Sequence, residues 1–191
     1  MRLFIAIDID EKVRDALGDL QRRLQRTAGE EGIKKRDVKW VKPEAIHLTL
    51  KFLGEVKDEK AVEVCNIVKD VSGKYRGFEL DIRSVGCFGG KAARVLWVGT
   101  GRGSEQLCRL AKALDEQLAS AGWPKEIREF SGHLTVCRIK SSSAGVKLAA
   151  MSEEYKDLEL GVISVEALSV YQSQLMPKGP IYTRLANYEL R

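Results

Sequence analysis

Two short stretches carry the fold: Ile46-His47-Leu48-Thr49-Leu50 and Gly132-His133-Leu134-Thr135-Val136. The chain of 191 residues has two histidines, and each is followed by Leu and then Thr. With five threonines in the chain, the chance that both histidines carry Thr two residues later is about (5/191)², below one in a thousand. In a strand, residues i and i+2 point to the same face. His47 and Thr49 therefore project together while Leu48 and Leu50 enter the core, and His133 with Thr135 repeats the arrangement.

The two stretches sit in similar frames. Before the first lie a strand at Met1–Asp8 and a helix that Asp10 can cap, with Val13, Ala16, Leu17, Leu20 and Leu24 at three- and four-residue spacing. Gly29 and Gly32 end that helix, and Lys34–Asp37 is a polar loop before the extended run 38–41. After the first motif run, 46–53, come a helix that Asp58 can cap, carrying Ala61, Val64, Cys65 and Val68, and a strand at 78–82. Around the second motif the order recurs: a strand at 94–98, a helix that Ser104 can cap, with Leu107, Leu110, Leu114 and Leu118, and a motif strand at 133–139. A weaker helix at 146–151, a strand region at 158–170 and a closing strand at 181–190 complete the chain.

These frames predict an α+β fold of one domain, 1–191, made by internal duplication with halves of roughly 1–90 and 91–191. Two pseudo-symmetric lobes, each an antiparallel sheet with helices, should face each other across a central cleft.

Composition narrows the function classes. Lys+Arg 32 against Asp+Glu 27 gives a net charge of +5 and a pI of 9.0, which suits a partner carrying phosphates. Hydrophobic residues at 44% with 31% charged describe a chain able to bury a core, and no apolar run approaches the roughly 18 residues of a membrane span. Cys65, Cys87, Cys108 and Cys137 are scattered singly without zinc-ligand spacing, as expected of packing residues in a reduced, cytoplasmic protein.

The paired motifs suit a phosphodiester. One imidazole can take a proton from the nucleophile and the other can give one to the leaving oxygen, since an unperturbed histidine titrates at about 6.5. The threonine hydroxyls can hydrogen-bond the non-bridging oxygens as charge shifts in the transition state. The scheme needs no metal and no cofactor. The blander alternative makes both histidines ordinary strand residues, and two matched copies weigh against it.

Beyond the motifs, Arg2-Leu3-Phe4-Ile5-Ala6-Ile7, the run from Trp40-Val41-Lys42-Pro43-Glu44 through Lys51-Phe52-Leu53-Gly54, and Gly179-Pro180-Ile181-Tyr182 resemble the 2H phosphoesterase superfamily over nearly the whole chain. Within it the sequence is most similar to the RNA 2′,3′-cyclic phosphodiesterases, historically called 2′-5′ RNA ligases. The resemblance implies opening of a terminal 2′,3′-cyclic phosphate to a 2′-phosphomonoester, with His47 as proton donor to the 3′ oxygen and His133 as the base that activates water. It also implies RNA ends, such as tRNA halves, or small nucleotide cyclic phosphates as substrates, for a monomer that meets no membrane. Ligation of tRNA-half-type ends through a 2′-5′ linkage and non-catalytic binding of RNA ends are the alternatives. The resemblance further points to Arg128, five residues before His133, as a phosphate-facing residue.

Strand alternation places Lys51 on the His47 face and Arg138 opposite His133 unless the strand bulges. Trp40 and Phe4 are candidates to stack a terminal base, or else core residues. Gly132 stands where members of the family often have Pro, which predicts a more mobile approach to His133. Gly99-Thr100-Gly101-Arg102-Gly103 lacks the spacing of a dinucleotide-binding loop and reads as a strand-to-helix turn.

Overall fold

The opening apolar run forms β1 (Arg2–Ile7), buried from Leu3 onward because a strand of this composition has a covered layer on each face. A computed structural model describes residues 1–177 and 179–191. After β1 come α1 (Glu11–Glu30), β2 (Val38–Trp40), β3 (Leu48–Glu55), α2 (Asp58–Ser72), β4 (Phe78–Phe88) and β5 (Val95–Thr100). They are followed by α3 (Ser104–Ser120), β6 (His133–Ile139), α4 (Ser142–Ser152), β7 (Glu159–Val165), β8 (Ala167–Met176) and β9 (Gly179–Glu189).

The strands form two antiparallel sheets, one of order β3-β1-β8-β9 and one of order β2-β6-β5-β4-β7. These sheets do not coincide with the halves 1–90 and 91–191. β4, from the first half, hydrogen-bonds β5 in the second motif's sheet, and β8, from the second half, hydrogen-bonds β1 in the first motif's sheet. The helices cross over too. α1 packs on β7 and α4, whereas α3 lies against β3 and α2 with its start against β4. A single hydrophobic cluster runs through both layers, from Leu3, Ile5 and Leu17 to Leu114, Leu134 and Val170.

The local chemistry explains most element boundaries. The Asp10 side chain accepts from Val13 N and starts α1, whose buried residues Val13, Leu17, Leu20, Leu24 and Ala28 keep one face. Two expected caps shift by one residue. α2 is capped by the backbone of Lys57, with Asp58 and Glu59 in its first turn, where their charge complements the helix dipole. Gly103 caps α3 at φ 92°, and a Cβ there would lie 2.2 Å from the Glu79 carbonyl oxygen. Ser104 instead turns its hydroxyl back onto Gly101 O at 2.6 Å. The region 158–170 divides into β7 and β8 in different sheets. Among the described residues no helix is long and apolar enough to cross a membrane.

Candidate active site

His47 immediately precedes β3 and His133 opens β6, and the two are held in the same way. His47 Nδ1 lies 3.0 Å from Ala45 O, and His133 Nδ1 lies 2.9 Å from Ser131 O. In each case the partner is the carbonyl two residues earlier. A carbonyl only accepts, so Nδ1 carries hydrogen in both rings and Nε2 is the nitrogen left for chemistry. Thr49 and Thr135, two residues on, are half-buried on the same faces.

Each motif strand then bulges one residue after its threonine. In β3, Thr49 pairs with Ala6 and Lys51 with Ile5, so Leu50 is the extra residue. In β6, Thr135 pairs with Trp97 and Cys137 with Leu96, so Val136 is the extra residue. A bulge moves every later side chain to the opposite face. Lys51 therefore turns inward, 5% exposed, and Phe52 takes the His47 side with 64% of its surface exposed. Arg138 comes round to the His133 side, where it is exposed and its charge is felt at Tyr182 of β9. The expectation that Lys51 lines the cleft is thus overturned, and the condition attached to Arg138 is met. Buried Gln21 of α1 fixes the second bulge, donating from Nε2 to Val136 O at 3.0 Å and to Val41 O at 2.7 Å.

Neither proposed stacking residue is open to a base. Phe4 is 2% exposed and packs beside His47, at a ring separation of 4.6 Å, and Tyr171, at 5.3 Å, with Tyr182 edge-on at 5.1 Å. It is a platform for the imidazole. Trp40 pairs with Cys137 of the buried layer and shares the face of buried Val38, so it packs on the core. The aromatic rings left exposed beside the motifs are Phe52, 5.8 Å from Phe4, and Phe88, 5.0 Å edge-on from His133.

Tyr182 meets His47 edge-on at 5.1 Å, and Asp8 accepts hydrogen bonds from Tyr171, Ser169 and Arg184. Reading motifs alone missed the Asp8 cluster. Its signal was the long-range return of β8 and β9 onto β1, which no local spacing carries.

Burial lowers the pKa of His47 from its usual 6.5, while the Ala45 carbonyl and the Asp8 charge oppose the shift. NMR titration of the imidazole should therefore give a midpoint below 6.5. Asp8→Asn should lower it further, because it removes a charge that favours the imidazolium. A midpoint at or above 6.5 contradicts this account.

Gly132, which the sequence reads as a mobile approach to His133, is closely packed against α3. A Cβ there would lie 2.4 Å from Leu107 Cδ2, a fully buried side chain of α3, and 3.2 Å from Thr100 Oγ1. The approach to His133 lies against α3 because this residue has no side chain. Gly132→Ala should displace the ring and lower kcat about 10²-fold while the protein stays folded by circular dichroism. Arg128 is exposed in the loop before His133 and joins no ion pair among the described residues.

Two antiparallel sheets, each presenting a histidine with a threonine on the same face, define the framework of a phosphoesterase with duplicated motifs. Sequence comparison agrees: the family described as LigT like Phosphoesterase matches residues 7–97 and again 98–182. The chain belongs to this family. It is 35% identical to the RNA 2′,3′-cyclic phosphodiesterase of Methanothermobacter thermautotrophicus, with 100% of this chain and 99% of that protein covered. It is 36% identical to the enzyme of the same name from Methanocaldococcus jannaschii, over 95% of this chain and 96% of that one. Among solved structures, a Thermus thermophilus protein superposes with a TM-score of 0.81 at 28% identity, covering 100% of this chain and 98% of its own. Escherichia coli LigT complexed with 3′-AMP superposes with 0.76 at 26% identity, covering 99% and 97%.

Proposed function

We propose that this protein is an RNA 2′,3′-cyclic phosphodiesterase that opens a terminal cyclic phosphate to a 2′-phosphomonoester and a free 3′ hydroxyl. The observation that carries this reading is the matched anchoring of the two rings, with Nδ1 of each on the carbonyl two residues back. His133, neutral and hydrogen-bearing at Nδ1, has its Nε2 lone pair available to take a proton from water as that water attacks phosphorus. The P–O3′ bond then breaks, and His47, as imidazolium, gives the Nε2 proton to the departing 3′ oxygen. Thr49 and Thr135 donate to the non-bridging oxygens, and Arg128 pairs with the phosphate, joined by Arg138 from the bulged strand. Phe52 and Phe88 are exposed faces on which a terminal base can stack.

The His47 pKa sets the pH dependence of this scheme. The donor works only when protonated and its pKa lies below 6.5, so kcat/KM should fall as pH rises through that pKa.

The direct test incubates an oligonucleotide ending in a 2′,3′-cyclic phosphate, with and without excess chelator, and identifies the product by nuclease digestion and co-elution of the terminal nucleotide with authentic 2′- and 3′-phosphate standards. A 2′-phosphate formed equally in chelator is expected. A mononucleotide with the same end, and tRNA halves with cyclic and 5′-hydroxyl ends, serve as competing substrates. Joining faster than hydrolysis, or binding without turnover, would replace the hydrolase reading.

A further inference from the structure

Lys51 is buried, cationic and absent from the chemistry proposed above, although it lies two residues from Thr49 in the strand that follows His47. Its ammonium has three donors, and three oxygens meet it. Asp115 Oδ1 of α3 is at 2.7 Å, Pro124 O at 2.8 Å and Glu126 Oε1 at 3.2 Å. Asp115, itself largely buried, also accepts from the backbone N–H of Glu126 at 3.1 Å. A buried cation is tolerated only when it is paired and hydrogen-bonded, and this one has two hydrogen bonds, to Asp115 and Pro124, and a second carboxylate, Glu126, in ion-pair range.

The oxygens it gathers come from one short segment, Pro124 to Glu126, and from the helix that precedes it. That segment begins the approach to Arg128 and His133. The far end of the approach is tied to α3, where Cys108 Sγ lies 3.7 Å from Phe130 O and Gly132 abuts Leu107. Between these two anchors Arg128 is exposed and joins no ion pair among the described residues, so the anchors set its direction.

We propose that Lys51 is a positioning residue: by clamping Pro124–Glu126 it holds Arg128 in register with the strand that carries Thr49 and leads from His47. The proposal rests on the reading of Arg128 as a phosphate ligand. It assigns to Lys51 no contact with substrate, and it makes one side chain the link between the first motif and the approach to the second.

The test is a kinetic cycle on a cyclic-phosphate oligonucleotide. Lys51→Met combined with Asp115→Leu removes both charges without leaving one buried and unpaired. This pair should raise KM about tenfold with kcat within about threefold. Arg128→Ala should do the same, and adding it to the pair should change little further, because an undirected arginine is already lost. Additive effects, or an unchanged KM in the folded pair variant, overturn the proposal. If Arg128→Ala alone leaves KM unchanged, the Arg128 reading fails. The clamp is then judged by amide exchange across 124–130, where faster exchange in the pair variant supports it and unchanged exchange overturns it. Should the pair variant not fold, Asp115→Asn takes its place, and the same changes in KM and amide exchange support or overturn the clamp.

Discussion

His47→Ala and His133→Ala should each lower kcat for a cyclic-phosphate oligonucleotide by about 10²–10⁴-fold, the range a positioned acid or base contributes. Both variants should remain folded, since each ring is only half-buried and its one hydrogen bond goes to a carbonyl that solvent can reach. The double variant should be little slower than the worse single one, because residues that act as a unit lose their effect together. The two roles separate when the 3′ oxygen of the cyclic phosphate is replaced by sulfur. A thiol, with a pKa of about 8.5, leaves without needing a proton from the enzyme. That substrate should restore most of the rate to His47→Ala and none to His133→Ala. The opposite pattern would exchange the two assignments, and full activity of either single variant on the natural substrate would remove the mechanism.

Phe4→Ala should be the most damaging substitution outside the histidines. Truncating a buried phenylalanine costs about 3–5 kcal/mol, a large share of the roughly 5–15 kcal/mol that keeps a domain folded. The truncated side chain also loses contact with four rings at once, His47, Phe52, Tyr171 and Tyr182. Urea unfolding measures the stability loss. Phe4→Leu separates stability from catalysis, because it keeps apolar volume while removing the flat surface on which the imidazole lies. Its kcat should fall about 10–100-fold, as a ring displaced by an ångström predicts, with a far smaller change in unfolding midpoint. A Phe4→Leu enzyme with normal kcat would reduce Phe4 to a core residue.

Much of the framework was legible in the residues. The strand at 2–7, the amphipathic α1 with its Asp10 cap and the pairing of each histidine with a threonine follow from periodicities of 3.6 and 2. What local pattern could not supply was set at longer range. Alternation put Lys51 beside His47, and a single inserted residue, Leu50, reversed it. The same event at Val136 brought Arg138 to the His133 side of its sheet. A bulge leaves no mark in hydrophobic patterning, because Leu50-Lys51 and Val136-Cys137 read as an ordinary continuation of the strand. For Phe4 the sequence leaves base stacking and core packing both open, and the structure buries it, because rings from β8 and β9, some 170 residues away along the chain, pack against it. The sheets cut across the division at residue 90 for a related reason. Order along the chain suggests two units, whereas hydrogen bonding between β4 and β5 and between β1 and β8 exchanges their strands.

That exchange has a bearing on how the enzyme comes into being on the ribosome. β1 is made well before its neighbour β8 and the edge strand β9. Until they arrive, Phe4 has neither Tyr171 nor Tyr182 against it, and His47 has no finished seat. A nascent chain that stalls before residue 167 carries both histidines and lacks the pocket of one of them. A chain cut before β8 should therefore fail to open a cyclic phosphate even though both motif strands are present.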